Sequence, residues 1–378
     1  MSMFISSPSP ESDSLIQNKR NLATTHNSLN LPSESAHKRA HMALFCYTKP
    51  TMPTSSFDLI TIGDIKLDTF VVLDDANVSC ELKMPECKLC LDYGAKINVK
   101  IVDSQIAGSA PNVAVGLARM KKKISILSVM GEDTTRPLAL EHLKREGVDV
   151  SLIEVIKGEK STYSVVLNFL GEKTILTGHI KHEYHLPKKF PKPTWLYVGE
   201  MGEGYEKIYK QVADYAKKDG VRITMNPGSI QIDERKKSLY DLLPYLEVLF
   251  INLEEAQRLT KSKSLEVHKL AGALSKLGPK HVVITDGKNG AYEYGGRDLR
   301  FCPIFPSKLV EATGAGDAFA SGYLGALLSG ESCSEGLRWG AVNSSSVVGY
   351  VGPTKGLLSA TEIRKRLKAK PNFNVKTV

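Results

Sequence analysis

The stretch Glu311-Ala312-Thr313-Gly314-Ala315-Gly316-Asp317-Ala318-Phe319 has the residue types and spacing to hold an anion and to act on it. Gly314, Ala315 and Gly316 carry almost no side chain, and the apolar run from Ala318 to Leu328 reads as a helix. Backbone N–H groups left bare at a helix start converge on an anion, and the positive end of the helix dipole adds to the attraction. Asp317 stands at the lip of that cradle, where a carboxylate can take a proton from a hydroxyl as it attacks a phosphoryl group. Taken alone, the same residues also describe a tight turn before a capped helix.

Three further groups have chemistry to offer. Ala107-Gly108-Ser109-Ala110-Pro111-Asn112-Val113-Ala114 sets a glycine turn before a helix, where backbone can approach a polyhydroxy ligand. Asn112 there supplies both a donor and an acceptor, although the residue alone reads as a helix cap. Asp68, five residues after Gly63, offers a carboxylate that accepts two hydrogen bonds from vicinal hydroxyls. Asn252-Leu253-Glu254-Glu255 follows an apolar strand. Its oxygen donors suit a hard cation held partly through water, and equally a helix N-cap with acids in the first turn. Thr285-Asp286-Gly287-Lys288-Asn289-Gly290-Ala291 is a strand-to-turn element with two glycines.

Regular elements must position these groups. Short apolar runs at 57–63, 124–130, 195–199, 222–226, 248–252 and 281–285 read as strands, several of them ending in Gly or Asn. Helical patterns lie between them at 112–120, 138–146, 205–218, 239–243, 253–260 and 264–277. Such alternation predicts an α/β fold with a parallel, doubly wound sheet, whose ligands collect outside the carboxyl ends of the strands. Two β-like runs, about 69–104 and 161–177, break the alternation and predict a small separate sheet, fit to serve as a lid.

Composition narrows the partners. The chain has 378 residues, 42% hydrophobic and 24% charged, with a formal net charge of +9. No apolar run approaches the roughly 20 residues that span a bilayer, so no membrane role is expected. From Arg364 onward there are six basic residues and no acid, without interleaved stacking aromatics. That reads as a solvated terminal face, with 371–378 a basic tail and no nucleic-acid partner. Residues 1–55 are rich in Ser, Asn, Pro and Thr without periodicity and read as a disordered extension, with Met42 and Met52 as possible later starts. Cys87-x-x-Cys90 with Cys80, and His179, His182 and His185 in a polar loop, fall short of a closed metal site.

Taken in order, these motifs resemble the signatures of the ribokinase-like (PfkB) carbohydrate kinases, over about 57–367. The resemblance implies a kinase domain over 56–370 with a small β-sheet lid, in a cytoplasmic enzyme, with a homodimer expected through the lid. It implies ATP-dependent phosphorylation of a free, unphosphorylated sugar, or alternatively of a nucleoside; a non-catalytic sugar-binding regulator is the third alternative. Asp317 is then the general base and Gly314, Ala315 and Gly316 the anion hole. Asp68, Gly108 and Asn112 bind the sugar. Asn252, Thr285, Gly287, Gly290, Thr313 and Asn343 line the ATP, and Glu255 serves Mg²⁺. The resemblance further implies K⁺ as a cofactor, and two departures stand out: Lys66 replaces the Asn of ribokinases, and Glu311 replaces an Asp that serves an activating K⁺ in many members.

Overall fold

The computed structural model describes residues 57–73, 77–80, 87–169 and 172–378. The extension expected at 1–55 lies outside the described residues. In chain order the structure runs β1 (Leu59–Ile62), β2 (Lys66–Leu73), a hairpin of β3 (Asn77–Cys80) and β4 (Cys87–Cys90), then β5 (Val99–Ala107) and α1 (Ser109–Arg119). Next come β6 (Ile124–Gly131), α2 (Thr135–Arg145), β7 (Asp149–Ile156), β8 (Thr162–Phe169), β9 (Glu172–Gly178), β10 (Trp195–Val198) and α3 (Glu206–Asp219). They are followed by β11 (Arg222–Met225), α4 (Ser229–Glu234), α5 (Lys237–Leu242), β12 (Leu246–Asn252), α6 (Leu253–Thr260), α7 (Val267–Ser275) and β13 (His281–Thr285). The chain closes with β14 (Ala291–Tyr294), β15 (Leu299–Cys302), α8 (Ala315–Leu327), α9 (Cys333–Val347), α10 (Ala360–Lys368) and β16 (Lys376–Thr377).

Ten strands form the main sheet in the order β16-β15-β14-β13-β12-β11-β10-β1-β6-β7. From β13 to β7 all pairings are parallel, which is why β1, β6 and β10 are continuous apolar runs buried on both faces. The chain leaves β1 toward β6 on one side and returns to β10 on the other. That reversal is the switch point at which α/β sheets open a crevice for ligands. Two cores cover the sheet: one joins α1, α8 and α9 to one face, and the other packs α3, α5, α6 and α7 on the opposite face. α8 and α9 approach closely because their contact is glycine, a Cβ on Gly322 falling 2.7 Å from the Trp339 carbonyl oxygen.

The antiparallel edge was not read from the sequence. Glu293 is fully buried there between His281 Nδ1 at 2.7 Å and Arg300 Nη1 at 2.6 Å. Its charge is thus neutralised inside the sheet. The segment 371–378, expected as a basic tail, is mostly exposed and supplies the edge strand β16: the Val378 N–H donates to the Leu299 carbonyl at 2.9 Å, and Phe373 is buried.

A separate four-stranded sheet has the order β5-β2-β8-β9. It is built from the two segments that interrupt the alternation of strands and helices. Val99, Ile101, Val102, Tyr163, Ile175 and Leu176 are exposed on its strands. No helix among the described residues is long and apolar enough to cross a membrane. Cys90 is an exposed free thiol, and the side chains of Cys80 and Cys87 lie outside the described residues.

Candidate active site

The anion cradle is held by its own loop. Gly314 caps α8 with φ at 76°, and a Cβ there would lie 2.4 Å from Pro353 Cβ, so only glycine fits. Glu311 fixes the approach: Oε1 accepts the Thr313 N–H at 2.6 Å and Oε2 the Gly352 N–H at 3.2 Å. Both carboxylate oxygens of Glu311 therefore tie loop to loop. The first N–H groups of α8 have no partner within the helix, as at any helix start. That of Ala315 bends back to the Ala312 carbonyl at a long 3.3 Å.

Asp317 sits in the first turn of α8 and Asn112 in the first turn of α1. The Asn112 side-chain amide donates to Asp317 Oδ2 at 2.8 Å, so Asn112 spends its donor on the carboxylate instead of capping its helix. Its Oδ1 is buried without a partner. Burial pushes the Asp317 carboxyl up to about 6; the Asn112 bond and the charges of Lys66 and Lys173 oppose the rise, and Glu200 adds to it. A carboxyl poised there is ionised at neutral pH yet basic enough to accept a proton. Gly108, at φ 120°, turns β5 into α1 with its Cα against the Asp64 carbonyl, where a Cβ would come within 2.4 Å.

Asp68 lies on β2, in the small sheet, and is buried with Oδ1 unpartnered. Burial raises its carboxyl, while Lys66 and Ser164 pull the other way. Lys66 opens the same strand and its Nζ donates to Glu200 Oε2 at 3.0 Å. Behind the pair, Asp64 accepts the Gly202 N–H at 2.9 Å and the Tyr184 hydroxyl, with His179 Nδ1 at 3.9 Å. The loop 179–194 is irregular and mostly exposed or half-buried, but His182 and Tyr184 turn inward and are buried. Both ring nitrogens of His182 lack partners.

On the far side of the cradle a cavity of about 320 Å³ opens between the β13–β14 turn and α8–α9. Thr285, Gly287, Gly290, Ala315 and Gly316 line it, with Pro303, Phe305, Ser344 and Ser345. Asn343, expected along the nucleotide, is not among the residues lining this cavity. It is fully buried, its amide donates to the Ala318 carbonyl at 2.9 Å and Ser321 Oγ at 3.1 Å, and its oxygen accepts the Leu358 N–H at 2.9 Å. Every polar atom of that side chain is spent on tying α9 to α8, and its sequence neighbours Ser344 and Ser345 face the cavity instead. Thr313 is buried outside the cavity lining; Lys173, from β9 of the small sheet, reaches its hydroxyl at 3.4 Å.

Asn252 and Glu255 form a reciprocal capping box on α6, with Asn252 Oδ1 accepting the Glu255 N–H at 2.8 Å and Glu255 Oε2 accepting the Asn252 N–H at 2.9 Å. The capping alternative is thus realised, without excluding a cation. Burial pushes the Glu255 carboxyl up to about 7, partly offset by the Asn252 N–H and Arg258. A carboxyl destabilised in this way gains from a nearby cation.

Sequence reading missed Glu200, Asp64, Tyr184 and Lys173 as site residues. Glu200 carried a signal, a carboxylate directly after the strand-ending Gly199, and Asp64 has the same place after Gly63. Lys173 carried none, being one lysine of a β-like segment.

Residues 68–360 match the model of the pfkB family carbohydrate kinases, and the chain belongs to that family. It is 27% identical over 325 residues to the 5-dehydro-2-deoxygluconokinase of Clostridium tetani, covering 76% of this chain and 93% of the relative. The 2-dehydro-3-deoxygluconokinase of Bacillus subtilis is 26% identical over 307 residues, covering 75% and 93%. Among solved structures, Arabidopsis thaliana ribokinase complexed with ribose and ATP superposes with a TM-score of 0.68 at 22% identity, covering 83% of this chain and 99% of that one. Burkholderia thailandensis nucleoside kinase in complex with inosine gives 0.67 at 16%, covering 84% and 99%.

Proposed function

We propose that the chain is an ATP-dependent kinase that transfers the γ-phosphoryl group to a hydroxyl of a free, unphosphorylated sugar. The observation that carries the reading is the Asn112–Asp317 contact beside the Gly314–Gly316 turn, with the cavity on its other side. It joins a proton acceptor to an anion cradle and to room for a nucleotide.

In this reading the sugar lies between Asp68, Gly108 and Asn112, and its attacking hydroxyl gives its proton to Asp317 Oδ. The bare N–H groups at the start of α8 take up charge on the transferring group. Thr285, Gly287 and Gly290 flank the nucleotide. Lys173 closes over the cradle from the small sheet, which acts as a lid and keeps water from competing as nucleophile. Glu255, through water, suits Mg²⁺, which when bound neutralises phosphate charge. Glu311, with both oxygens on backbone N–H groups, has little left for K⁺.

The names of similar proteins divide between gluconate derivatives, ribose and nucleosides. A nucleoside acceptor is therefore the second reading. The kinase domain is taken as 56–370 and the lid as about 69–104 and 161–177. Use of ATP points to a cytoplasmic enzyme. The apolar residues exposed on the lid strands fit a second copy of the chain, giving a dimer.

The test is MgATP turnover by the full chain against a panel of free sugars and nucleosides, beside Asp317→Asn. ADP formation with one acceptor, lost in the variant, is expected. Turnover that survives the substitution would remove Asp317 from its role, and no ADP formation with any acceptor would remove the kinase reading.

A further inference from the structure

Lys66 and Glu200 meet at the switch point of the main sheet. Glu200 follows β10, its N–H donating to Ser109 Oγ at 2.9 Å, while its carbonyl accepts the Asp64 N–H at 3.0 Å. The chain on either side of this ion pair is thereby pinned to α1 and to the end of β1. Lys66 is 9% exposed. It lies two residues before Asp68, on the same face of the lid strand.

Charge around the pair is one-sided. Lys66 is felt by Asp64, Asp68, Glu200 and Asp317, so one ammonium faces four carboxyl groups. His179 faces Asp64 and Glu200, and Lys173 reaches Asp317 from the phosphoryl side. Burial works against the charge of Lys66, yet Glu200 and Asp68 hold its ammonium in the protonated state beyond the usual range. Burial likewise works against Glu200, which Lys66 nevertheless keeps ionised. Glu200 is the one carboxylate bonded directly to this ammonium, and the other carboxyl groups act on it through space.

Two polar atoms next to it are open. Asp68 Oδ1 and Asn112 Oδ1 are buried with no partner, and an oxygen of either kind asks for a donor. A hydroxyl donates; a carboxylate or phosphate at neutral pH only accepts.

We propose that the Lys66–Glu200 pair sets the charge class of the acceptor, so that the site takes a neutral polyhydroxy compound and refuses one bearing a carboxylate or phosphate. The inference rests on the sugar-kinase reading and narrows it. An anionic group brought near Lys66 must compete with Glu200 for its ammonium and lie close to the carboxyl groups of Asp68 and Asp64. Placing like charges together in a partly desolvated site costs several-fold to many-fold in affinity. A neutral hydroxyl meets no such opposition. Glu200 is here a specificity-determining residue acting through Lys66, with no direct part in the chemical step.

The experiment is isothermal titration calorimetry of the full-length protein with D-glucose, D-fructose, D-ribose and adenosine, against D-gluconate and 2-dehydro-3-deoxy-D-gluconate. It is run on the wild type, Glu200→Gln and Lys66→Met, with MgATP turnover followed in parallel. The wild type should bind one of the neutral compounds and discriminate against both acids by at least about 30-fold. Glu200→Gln releases the ammonium, and the ratio should move toward the acids by at least about tenfold. Lys66→Met leaves Glu200 unpaired and should bind the acids no better than the wild type. Equal binding of acid and neutral compound by the wild type, an unchanged ratio in Glu200→Gln, or binding of neither class would overturn the proposal. A neutral compound that binds selectively but yields no ADP would sink the kinase reading and leave the charge selectivity standing.

Discussion

The Asn112 amide and the Asp317 carboxylate meet at 2.8 Å although 205 residues separate them in the chain. Their contact joins the first turns of α1 and α8, so in the proposed reading the turn that meets the acceptor hydroxyl and the phosphoryl cradle share one hydrogen bond. The contact leaves Asn112 Oδ1 buried without a partner, and in the proposed reading that atom accepts from the acceptor while Asp317 takes its proton.

Asp317 should set the acid limb of the rate profile. Its carboxyl, pushed up to about 6, must be ionised to act, so kcat should fall with unit slope as pH drops through that value. Asp317→Asn should lower kcat by about 10²–10⁴. Stability should move the other way. A carboxyl raised in the folded state favours folding when protonated and loses that contribution as pH rises through its ordinary value toward 6. The neutral amide escapes this loss, so at pH 7 the variant should melt no lower than the wild type in calorimetry.

Three groups, Asn112, Lys66 and Lys173, oppose the rise in the Asp317 carboxyl, and Asn112 and Lys173 each make a separate prediction. Asn112→Ala removes the hydrogen bond and Lys173→Met removes a positive charge, so both should move the acid limb to higher pH. Asn112→Ala should also raise the sugar KM, because the residue carries the open acceptor. Lys173→Met should lower kcat by roughly tenfold through lost phosphoryl stabilisation, with sugar KM little changed and Lys173→Arg restoring most of the rate.

Gly314→Ala tests the cradle's backbone. The added methyl meets Pro353 at a left-handed φ of 76°. Loss of about 1–3 kcal/mol of stability is expected in chemical denaturation, together with a raised KM for ATP.

Asn343→Ala tests the reassignment of that residue. Removing a fully satisfied buried amide should cost roughly 1–3 kcal/mol in denaturant unfolding. At temperatures where the variant remains folded, its KM for ATP should stay within about twofold of the wild type, since Ser344 and Ser345 line the cavity and Asn343 does not.

The alternation of strand and helix was legible because the parallel strands β1, β6, β10 and β12 are largely apolar runs that end at, or run directly into, a glycine or Asn252. Elements such as α6, at Leu253–Thr260, fall where the periodicity places them. The cradle was legible for the same reason, since Gly314-Ala315-Gly316-Asp317 is contiguous. What could not be read is what long-range pairing decides. β16 is recruited to the sheet by backbone partners on β15, and its own residues are mostly polar. The Lys66–Glu200 pair joins residues 134 apart and has no local pattern. The inward turn of Asn343 could not be read, because an amide beside a ligand cavity and an amide between two helices look alike in one dimension. Burial distinguishes them, and burial is a property of the fold.

Asp68 rides on β2, while Asp317 is anchored in the helical layer over the main sheet. The strand leaves β1 through Gly63, and β5 rejoins the core at Gly108. One half of the proposed acceptor site is thus carried by a sheet that shares no ladder with the main sheet beneath the other half. Measured affinity for the acceptor then contains the free energy of bringing the two sheets together as well as that of the contacts themselves. Substitutions on the exposed strands of the small sheet, far from any bound hydroxyl, should therefore change apparent affinity without touching the ligand.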